Sequence, residues 1–333
     1  MPQIHHQKHG KIVKPQHGRY GRHEWAIVGT PCGNIQRMAA QLHAELQQNF
    51  VVGYMDADHN TPEDAEPLAY PLEYTNKITH HGWLKQVAPG RADYWEFFND
   101  ADLVLVNGNH FEASQQVVVI DPKKYDSLKK RLPQLTNVAM WVYTETVSEP
   151  FDFIREAFPQ WQEIPATRMG DLAPLTQLIH QQISATRQPI SGLVLAGGKS
   201  VRMGNDKTVI DYHGVPQREY LYEMLKPMVD EVYLSVRQEQ LAEVPDTFRT
   251  LPDSFLNLGP YGAILSALQH QPDRAWLVVA VDMPYVPEAS VKHLITERNA
   301  SQLATAYRNP DNELPEPLLS LWEPKAYGHL LLL

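Results

Sequence analysis

The sequence contains little of what would assign it to several common classes of protein. Of its 333 residues only one is a cysteine, Cys32, which excludes an internal disulfide and a multi-cysteine zinc site. Its 29 Lys and Arg against 39 Asp and Glu leave a formal net charge of −10, whereas a general nucleic-acid binder normally presents a basic surface. Apolar runs such as LVLAGG and AWLVVAV are far shorter than the roughly 20 residues that span a bilayer. No apolar stretch of the kind found in a secretory signal follows the N-terminus. We therefore expect a cytoplasmic protein with no nucleic-acid or membrane partner.

Alternating strand and helix patterns are what the sequence does contain. EWAIVGT is typical of a buried strand, and the helix that follows places Ile35, Met38, Leu42 and Leu46 on one face. Further strands are predicted at FVVGYMDAD, ADLVLVNG, QQVVVIDP and VAMWVYTE, with helices at about 123–131, 150–158 and 171–186. Short apolar strands alternating with helices indicate mainly parallel sheets covered on both faces. We predict an α/β protein of two three-layer α/β/α domains.

The domain boundaries follow from changes in composition. Residues 1–23 are polar and hold five histidines without regular spacing or flanking acids, which favours a flexible His-rich arm over a metal site. The first domain is predicted at 24–186, with an irregular insertion or long connection at 59–100. ATRQPI at 185–190 is a plausible linker. The second domain, 190–333, has strands at SGLVLAGG, EVYLSV, TFRTLPD and AWLVVAVDMP, and helices at about 216–228 and 260–270.

The first domain has the outline of a phosphate-binding loop without its chemical groups. A P-loop needs two glycines separated by four residues, then Lys and Ser or Thr. In VGTPCGNI, three residues separate Gly29 from Gly33, and Asn34 and Ile35 stand at the Lys and hydroxyl positions. Asn107 stands where an acid near Mg²⁺ is expected. The sequence predicts no NTP hydrolysis here; a tight glycine turn and weak phosphate binding both remain open.

Together with DADH at 56–59 and DLVLVNG at 102–108, this loop resembles the MobB-type P-loop proteins that accompany molybdenum cofactor guanylyltransferases. The resemblance implies that residues 24–186 form a degenerate MobB-like domain that acts as a scaffold or binds a protein partner. It also implies that Asp56, Asp58 and His59 lie near a ligand. Acids at strand ends are ordinary turn formers as well, so that alternative remains.

A glycine-rich and basic motif, LVLAGGKSVRMGNDK at 193–207, opens the second domain. A buried strand ends at Gly197 and Gly198, where backbone amides can approach a triphosphate without obstruction by a Cβ atom. Arg202 and Lys207 follow at a spacing that lets both contact the same phosphates. The tripeptide GKS is not a Walker motif, because Leu193, inside the strand, occupies the position of the first glycine.

Two acids follow later strands of the second domain. Asp282 stands at the carboxyl end of AWLVVAVDMP, the edge at which open α/β sheets bind ligands. A carboxylate there can hold the Mg²⁺ that offsets triphosphate charge. Asp253 follows FRTL and is placed to reach the base or ribose, and Gly259-Pro260 opens the next helix. Each acid alone is an ordinary turn residue, but with the preceding motif they form a more specific pattern.

LAGGKSVRMGNDK, LPDSFLNLGPYGAI and VAVDMPYVP together resemble the MobA-type molybdenum cofactor guanylyltransferases over about 190–322. The resemblance implies a Rossmann-like nucleotidyltransferase fold and Mg²⁺ at Asp282. The nucleotide contacts it implies are Leu195, Ala196, Gly197, Lys207 and Asp253. Ser235 stands where family members often have Asn, and one hydroxyl cannot reproduce the paired contact of an amide. The base selectivity is therefore left open.

The combined pattern predicts Mg²⁺-dependent transfer of GMP from GTP to molybdopterin, or to its metal-loaded molybdenum cofactor form, with release of pyrophosphate. Arg202, Lys207 and Asp282 are the predicted catalytic residues, and positioning and electrostatics supply the acceleration. The predicted nucleotide-binding set is Leu195, Ala196, Gly197, Gly198, Lys207, Ser235, Asp253 and Asp282. Transfer of another nucleotide such as CMP, or a non-catalytic nucleotide-binding or regulatory role, are the alternatives.

The last residues, NELPEPLLSLWEPKAYGHLLLL, are typical of an apolar helix that stops unfinished at Leu333. The resemblance would place a further strand, a helix and an Asn-containing motif beyond this point. We therefore expect the second domain to be truncated at its C-terminus.

Overall fold

The computed structural model describes residues 13–58, 71–77, 79–197 and 211–333. The chain divides into two compact units. The N-terminal unit is His17–Ala185, and the C-terminal unit is Thr186–Leu333 together with the described residues 13–16. No helix within the described ranges is long and apolar enough to cross a membrane.

Six parallel strands form the main sheet of the described N-terminal unit. They are β1 (Glu24–Val28), β2 (Val52–Met55), β5 (Leu103–Asn107), β6 (Gln115–Ile120), β7 (Val138–Tyr143) and β8 (Ala166–Arg168). Their order across the sheet is β2-β5-β1-β6-β7-β8, and every neighbouring pair is parallel. The central strands are buried along their whole length, as expected for a sheet covered on both faces.

Helices cover both faces of this sheet. Helices α1 (Cys32–Leu46) and α5 (Ala173–Ala185) share a core with Trp25 and Ile27 of β1. Helices α3 (Tyr125–Lys130) and α4 (Asp152–Ala157) share a core with Val28 on the opposite face. The predicted buried face of α1, with Ile35, Met38, Leu42 and Leu46, is confirmed. The three-layer arrangement predicted for this domain is therefore present.

Two segments of the N-terminal unit are more ordered than the sequence analysis predicts. The insertion at 59–100 contains an antiparallel hairpin, β3 (Leu72–Asn76) and β4 (His81–Lys85), and helix α2 (Arg91–Phe97). Its residues 59–70 and 78 lie outside the described residues, and His59 is among them. The predicted arm extends too far, because Tyr20 is only 1% exposed and packs with Ala26, Val104 and Val106 in the core.

The C-terminal unit has a mixed sheet. Its described strands are β9 (Ile190–Leu195), β10 (Glu231–Val236), β11 (Thr250–Pro252), β12 (Ala275–Ala280), β13 (Ala304–Arg308) and β14 (Pro315–Trp322). They are ordered β11-β10-β9-β12-β14-β13. The four strands from β11 to β12 are parallel, β14 is antiparallel to β12, and β13 is antiparallel to β14.

Helices again lie on both faces of the sheet. Helices α6 (Gln217–Leu225) and α8 (Glu288–Thr296) contribute to one apolar core, and α7 (Pro260–His270) and α9 (Ala326–Leu331) to the other. The expectation of an apolar helix at the end of the chain is wrong for most of that segment. Residues 315–322 form β14, because Leu319 and Leu321 complete the core beside β12, and only α9 is helical. The predicted α/β class with two three-layer units is confirmed.

Candidate active site at the edge of the C-terminal sheet

The order of the strands defines where a ligand can enter the C-terminal unit. From the central strand β9 the chain builds β10 and β11 on one side, then crosses to β12 on the other side. Such a reversal opens a crevice at the carboxyl ends of the two strands that flank it, and ligands of open α/β sheets bind there. The crevice of this unit lies between the ends of β9 and β12.

The register of the strands brings the predicted residues to this crevice. Leu251, Ser235, Leu195 and Ala280 form one row across β11, β10, β9 and β12. Two residues beyond this row, where each strand ends, lie Asp253 after β11, Gly197 after β9 and Asp282 after β12. The row and the residues just beyond it therefore gather most of the predicted nucleotide-binding set at one edge, namely Leu195, Ala196, Gly197, Ser235, Asp253 and Asp282.

Asp253 is held by a buried hydroxyl. The Ser235 side chain is 2% exposed, and its Oγ donates a hydrogen bond to Asp253 Oδ1 over 3.0 Å. Burial raises the pKa of the Asp253 carboxyl, and the hydrogen bond from Ser235 only partly opposes this effect. The predicted Ser235 contact with a base therefore competes with a bond inside the protein.

The loop after Asp253 is fixed to helix α7. The backbone N–H of Ser254 donates to Ser266 Oγ over 2.8 Å, and Ser266 Oγ donates to the carbonyl of Gly262 over 2.7 Å. A Cβ atom on Gly262 would lie 2.3 Å from the Phe255 carbonyl oxygen, so only glycine allows this approach. The helix and its glycine thus position Asp253.

Asp282, in contrast, is exposed and forms no hydrogen bond with another described residue. The turn that carries it packs against the segment where the described chain resumes after residue 210. His213 Nε2 donates to the carbonyl of Pro284 over 2.8 Å, and the rings of Tyr212 and Tyr285 lie 6.2 Å apart. None of the described residues therefore occupies the carboxylate of Asp282.

Sequence reasoning missed Arg237, which follows β10 at the same edge. A Cβ atom built on Gly197 would lie 3.7 Å from Arg237 Cγ. Arg237 Nη1 contacts Glu239 Oε1 at 2.8 Å, and its buried Nε has no hydrogen-bond partner among the described residues. The available signal was a cation directly after the buried strand EVYLSV.

The described neighbours do not by themselves require glycine at position 197. A Cβ atom built on Gly197 would lie 3.6 Å or more from each of its nearest neighbours.

The other predicted residues of this site, Gly198, Arg202 and Lys207, lie outside the described residues, and their roles stay predictions. Of the acidic residues predicted for this site, Asp253 and Asp282 are both described, so their fit to Mg²⁺ can be examined. No group of three His, Cys, Asp or Glu residues that could hold a metal occurs in the described ranges. Mg²⁺ is commonly held by one or two carboxylates together with substrate phosphates. One exposed carboxylate at a ligand crevice fits that mode of binding.

The corresponding edge of the N-terminal unit is closed by its own side chains. Its chain reverses between β1 and β6, and there Thr30 Oγ1 donates to Asp121 Oδ2 over 2.8 Å. Asn34 Nδ2 donates to the same Thr30 oxygen over 2.8 Å. Gly29 has φ +96°, and a Cβ atom there would lie 2.4 Å from the Val119 carbonyl oxygen. Packing inside the unit therefore accounts for Gly29, which supports the tight-turn alternative.

Asp56, at the end of β2, is also occupied by internal bonds. It accepts hydrogen bonds from Tyr54 Oη at 2.7 Å, Asn107 Nδ2 at 2.7 Å and Gln36 Nε2 at 3.1 Å. Burial acts to raise the pKa of Asp56, but these bonds and one from the Ala57 backbone outweigh it and lower the pKa. Asn107, at the position of the missing acid, therefore serves as a donor to Asp56.

Comparison with known proteins shows the family to which the chain belongs. The model of the MobA-like NTP transferase domain matches residues 192–333. A molybdenum cofactor guanylyltransferase of Shewanella sp. (strain ANA-3) is 32% identical over 139 residues, which cover 40% of this chain and 69% of the relative. The chain therefore belongs to the molybdenum cofactor guanylyltransferase family.

The match to a second relative covers only part of that protein. The molybdenum cofactor biosynthesis bifunctional protein of Synechocystis sp. is 38% identical over 155 residues, and the match spans 45% of this chain and 45% of that protein. The chain thus covers less than half the length of this relative.

Each unit also has a likeness among solved structures. Molybdopterin-guanine dinucleotide biosynthesis protein A from Archaeoglobus fulgidus is 28% identical, with 42% of this chain and 71% of that chain covered and a TM-score of 0.37. A MobB protein homolog from Bacillus stearothermophilus is 13% identical, with 49% and 98% covered and a TM-score of 0.34. Because these TM-scores are low, our description of the architecture rests on the strand order given above and not on these structures.

Proposed function

We propose that the C-terminal unit transfers GMP from GTP to the terminal phosphate of molybdopterin or of its metal-loaded form, with release of pyrophosphate. The observation that supports the proposal is the strand register, because Asp253, Gly197 and exposed Asp282 each follow the same row of residues at the carboxyl edge of the sheet. Membership of the guanylyltransferase family supports the choice of substrates. The reaction and its substrates are proposed for the whole protein as well.

The bonds in the proposed reaction are those of a direct displacement. An oxygen of the acceptor phosphate forms a bond to the α-phosphorus of GTP, and the bond from that phosphorus to the bridging oxygen of the β-phosphate breaks. The electron pair of the broken bond leaves with pyrophosphate. No covalent enzyme intermediate is required, because positioning and electrostatic stabilisation can supply the rate.

Each site residue has a role in this proposal. The backbone of Leu195, Ala196, Gly197 and Gly198 lies along the triphosphate, and Arg202 and Lys207 offset charge on its oxygens. Asp253 contacts the ribose or base, with Ser235 behind it. Asp282 would hold Mg²⁺. When bound, Mg²⁺ offsets the charge of the triphosphate and of the departing pyrophosphate. A protein partner for the N-terminal unit remains a prediction.

The proposal is tested by incubating the purified chain and molybdopterin with each of the four NTPs and measuring pyrophosphate release and the dinucleotide product. GTP with Mg²⁺ should give product, and a chelator should abolish it. Product from CTP instead would replace the guanine assignment with transfer of CMP. Nucleotide binding without pyrophosphate release from any NTP would favour the non-catalytic alternative and refute transfer.

A further inference from the structure

A cavity in the N-terminal unit, adjacent to the closed turn at Thr30, is lined by basic side chains. It has a volume of about 440 Å³ and lies between the chain that follows β5 and the end of α3. Arg19, Lys130 and Arg131 line it, and among its described lining residues Glu112 is the one carboxylate. A local excess of positive charge in a chain of net charge −10 attracts anions to this place.

Of the three cations, Arg131 is held in place by hydrogen bonds and Arg19 lies near an aromatic ring. Arg131 Nη2 donates to the carbonyl of Asn109 over 2.5 Å, and Arg131 Nη1 donates to Ser127 Oγ over 2.7 Å. The guanidinium carbon of Arg19 lies 5.8 Å from the ring centroid of buried Tyr20. None of the three forms an ion pair with a carboxylate of the described residues. An anion would therefore meet one guanidinium that is already oriented, at Arg131, and cations that no described carboxylate neutralises through an ion pair.

Asn109 adds a second, independent observation. Asn109 is a lining residue of the same cavity and is 7% exposed, yet its buried Oδ1 accepts no hydrogen bond from another described residue. Its Nδ2 is used, because it donates to the Thr30 carbonyl over 2.8 Å. A buried acceptor without a partner costs free energy, and few occur in native structures. A ligand with a hydroxyl or amine donor would satisfy Asn109 Oδ1 while its anionic group contacts the cations.

We propose that the cavity between residues 108–112 and the end of α3 binds the phosphate group of a small phosphorylated molecule. The three cations take the phosphate, and Asn109 Oδ1 accepts a hydrogen bond from the organic part. The volume exceeds that needed by a free phosphate ion and falls within the usual range for small-molecule pockets, about 300–1,000 Å³. This site is separate from the nucleotide crevice of the C-terminal unit, so it does not depend on the function proposed above.

Cys32 provides a local reporter for the test, because it is the one cysteine of the sequence. Its Sγ lies 3.3 Å from His110 Nε2 and 3.7 Å from Asn109 Nδ2, and both residues line the cavity. The full chain is treated with iodoacetamide, a neutral reagent, and modification of Cys32 is followed by mass spectrometry. Added ribose 5-phosphate should slow the reaction saturably, by about twofold or more, because a bound anion disfavours the thiolate. Ribose should have no effect.

Variants assign the effect to the cavity. Arg19 and Lys130 are both exposed, so Arg19→Gln/Lys130→Gln should fold normally, yet it should need at least about tenfold more ribose 5-phosphate for the same protection. Lys129→Gln is the matched control. It removes one positive charge from the helix that carries Lys130, but the Lys129 ammonium lies 6.0 Å from the Phe153 ring centroid and Lys129 is not among the lining residues of the cavity. It should behave like the unmodified chain.

A comparison of inorganic phosphate with ribose 5-phosphate distinguishes a free phosphate ion from a phosphorylated organic molecule as the ligand. Weaker protection by inorganic phosphate than by ribose 5-phosphate supports a phosphorylated organic ligand, and equal protection supports the same site with the free anion as its ligand. Absence of saturable protection would overturn the proposal. Protection that persists in the double variant, or that Lys129→Gln weakens equally, would overturn it as well.

Discussion

In the N-terminal unit the central strand β1 leads to Thr30, whose hydroxyl is bonded to Asp121 on the far side of the crevice. In the C-terminal unit the central strand β9 leads to Gly197, and Asp282 on the far side of its crevice is exposed. Both crevices arise where the strand order reverses. The difference shows that this topology creates a place for a ligand, whereas the local side chains decide whether it stays open.

The acids of the two units show the same contrast. Asp56 accepts bonds from three side chains and one backbone amide. A ligand cation would have to replace these bonds, at a cost of roughly 0.5–1.5 kcal/mol for each typical hydrogen bond. Asp282 has no such bonds to described residues. The metal-dependent chemistry of the proposed function is therefore expected in the C-terminal unit, and the following predictions test that contrast.

The largest expected effect is on turnover. Asp282→Asn should lower the rate of pyrophosphate release by about 100-fold or more, because it removes a charge that stabilises the transition state. Asp56→Asn should leave the rate within about twofold, since that acid is bonded inside the other unit. Asp246→Asn is the control within the C-terminal unit, because Asp246 is exposed and precedes β11 at the opposite edge. Near-normal turnover of Asp282→Asn would remove the metal assignment.

A smaller effect is expected on stability. Thr30→Val should reduce the free energy of unfolding of the N-terminal unit by about 2–3 kcal/mol, because it leaves Asp121, which is 4% exposed, without its hydroxyl donor. Ser235→Ala removes the equivalent donor to Asp253, but Asp253 is only half-buried and can recruit water, so the cost should be about 1 kcal/mol.

Hydrogen exchange at amides of β1 and β9 measures each unit separately, which a single melting temperature does not. Equal losses in the two variants would contradict the difference between the closed and the open crevice.

The smallest effect concerns pH, and its sign should differ between the units. The lowered pKa of Asp56 means that its contribution to stability is present above the ordinary Asp pKa, roughly 3.9, and is lost as the pH falls below that value. The raised pKa of Asp253 means that its charged form costs stability, and this cost is relieved as the pH falls through the raised pKa towards the ordinary value. Each contribution should be under about 1 kcal/mol.

Urea titrations between pH 3 and 7, each followed by a hydrogen-exchange pulse at a fixed pH, would measure both trends. Asp56→Asn should remove the acid-side loss from the N-terminal unit only, and Asp253→Asn should remove the acid-side gain from the C-terminal unit only. The same sign of pH dependence for both acids would show that their environments do not differ as described.

The sequence by itself determined the features that depend on local pattern. Continuous apolar runs predicted the central strands, and the spacing of Ile35 and Leu46 predicted the buried face of α1. Strand ends could be located as well, so the sequence predicted that Asp253, Asp282 and Gly197 follow strands that end at one edge of the sheet. Their roles in binding stay predictions. These features follow from the short-range periodicity of helices and strands.

Only the tertiary structure decided which polar groups are already bonded. The bonds of Thr30 to Asp121 and of Ser235 to Asp253 join residues 91 and 18 positions apart, and no local periodicity encodes such distances. The role of 315–322 as strand β14 was decided in the same way, because burial beside β12 outweighed the helical tendency of its leucines. Both outcomes depend on contacts made only when the sheet is assembled, and for that reason the open crevice and the closed one could not be told apart from the sequence.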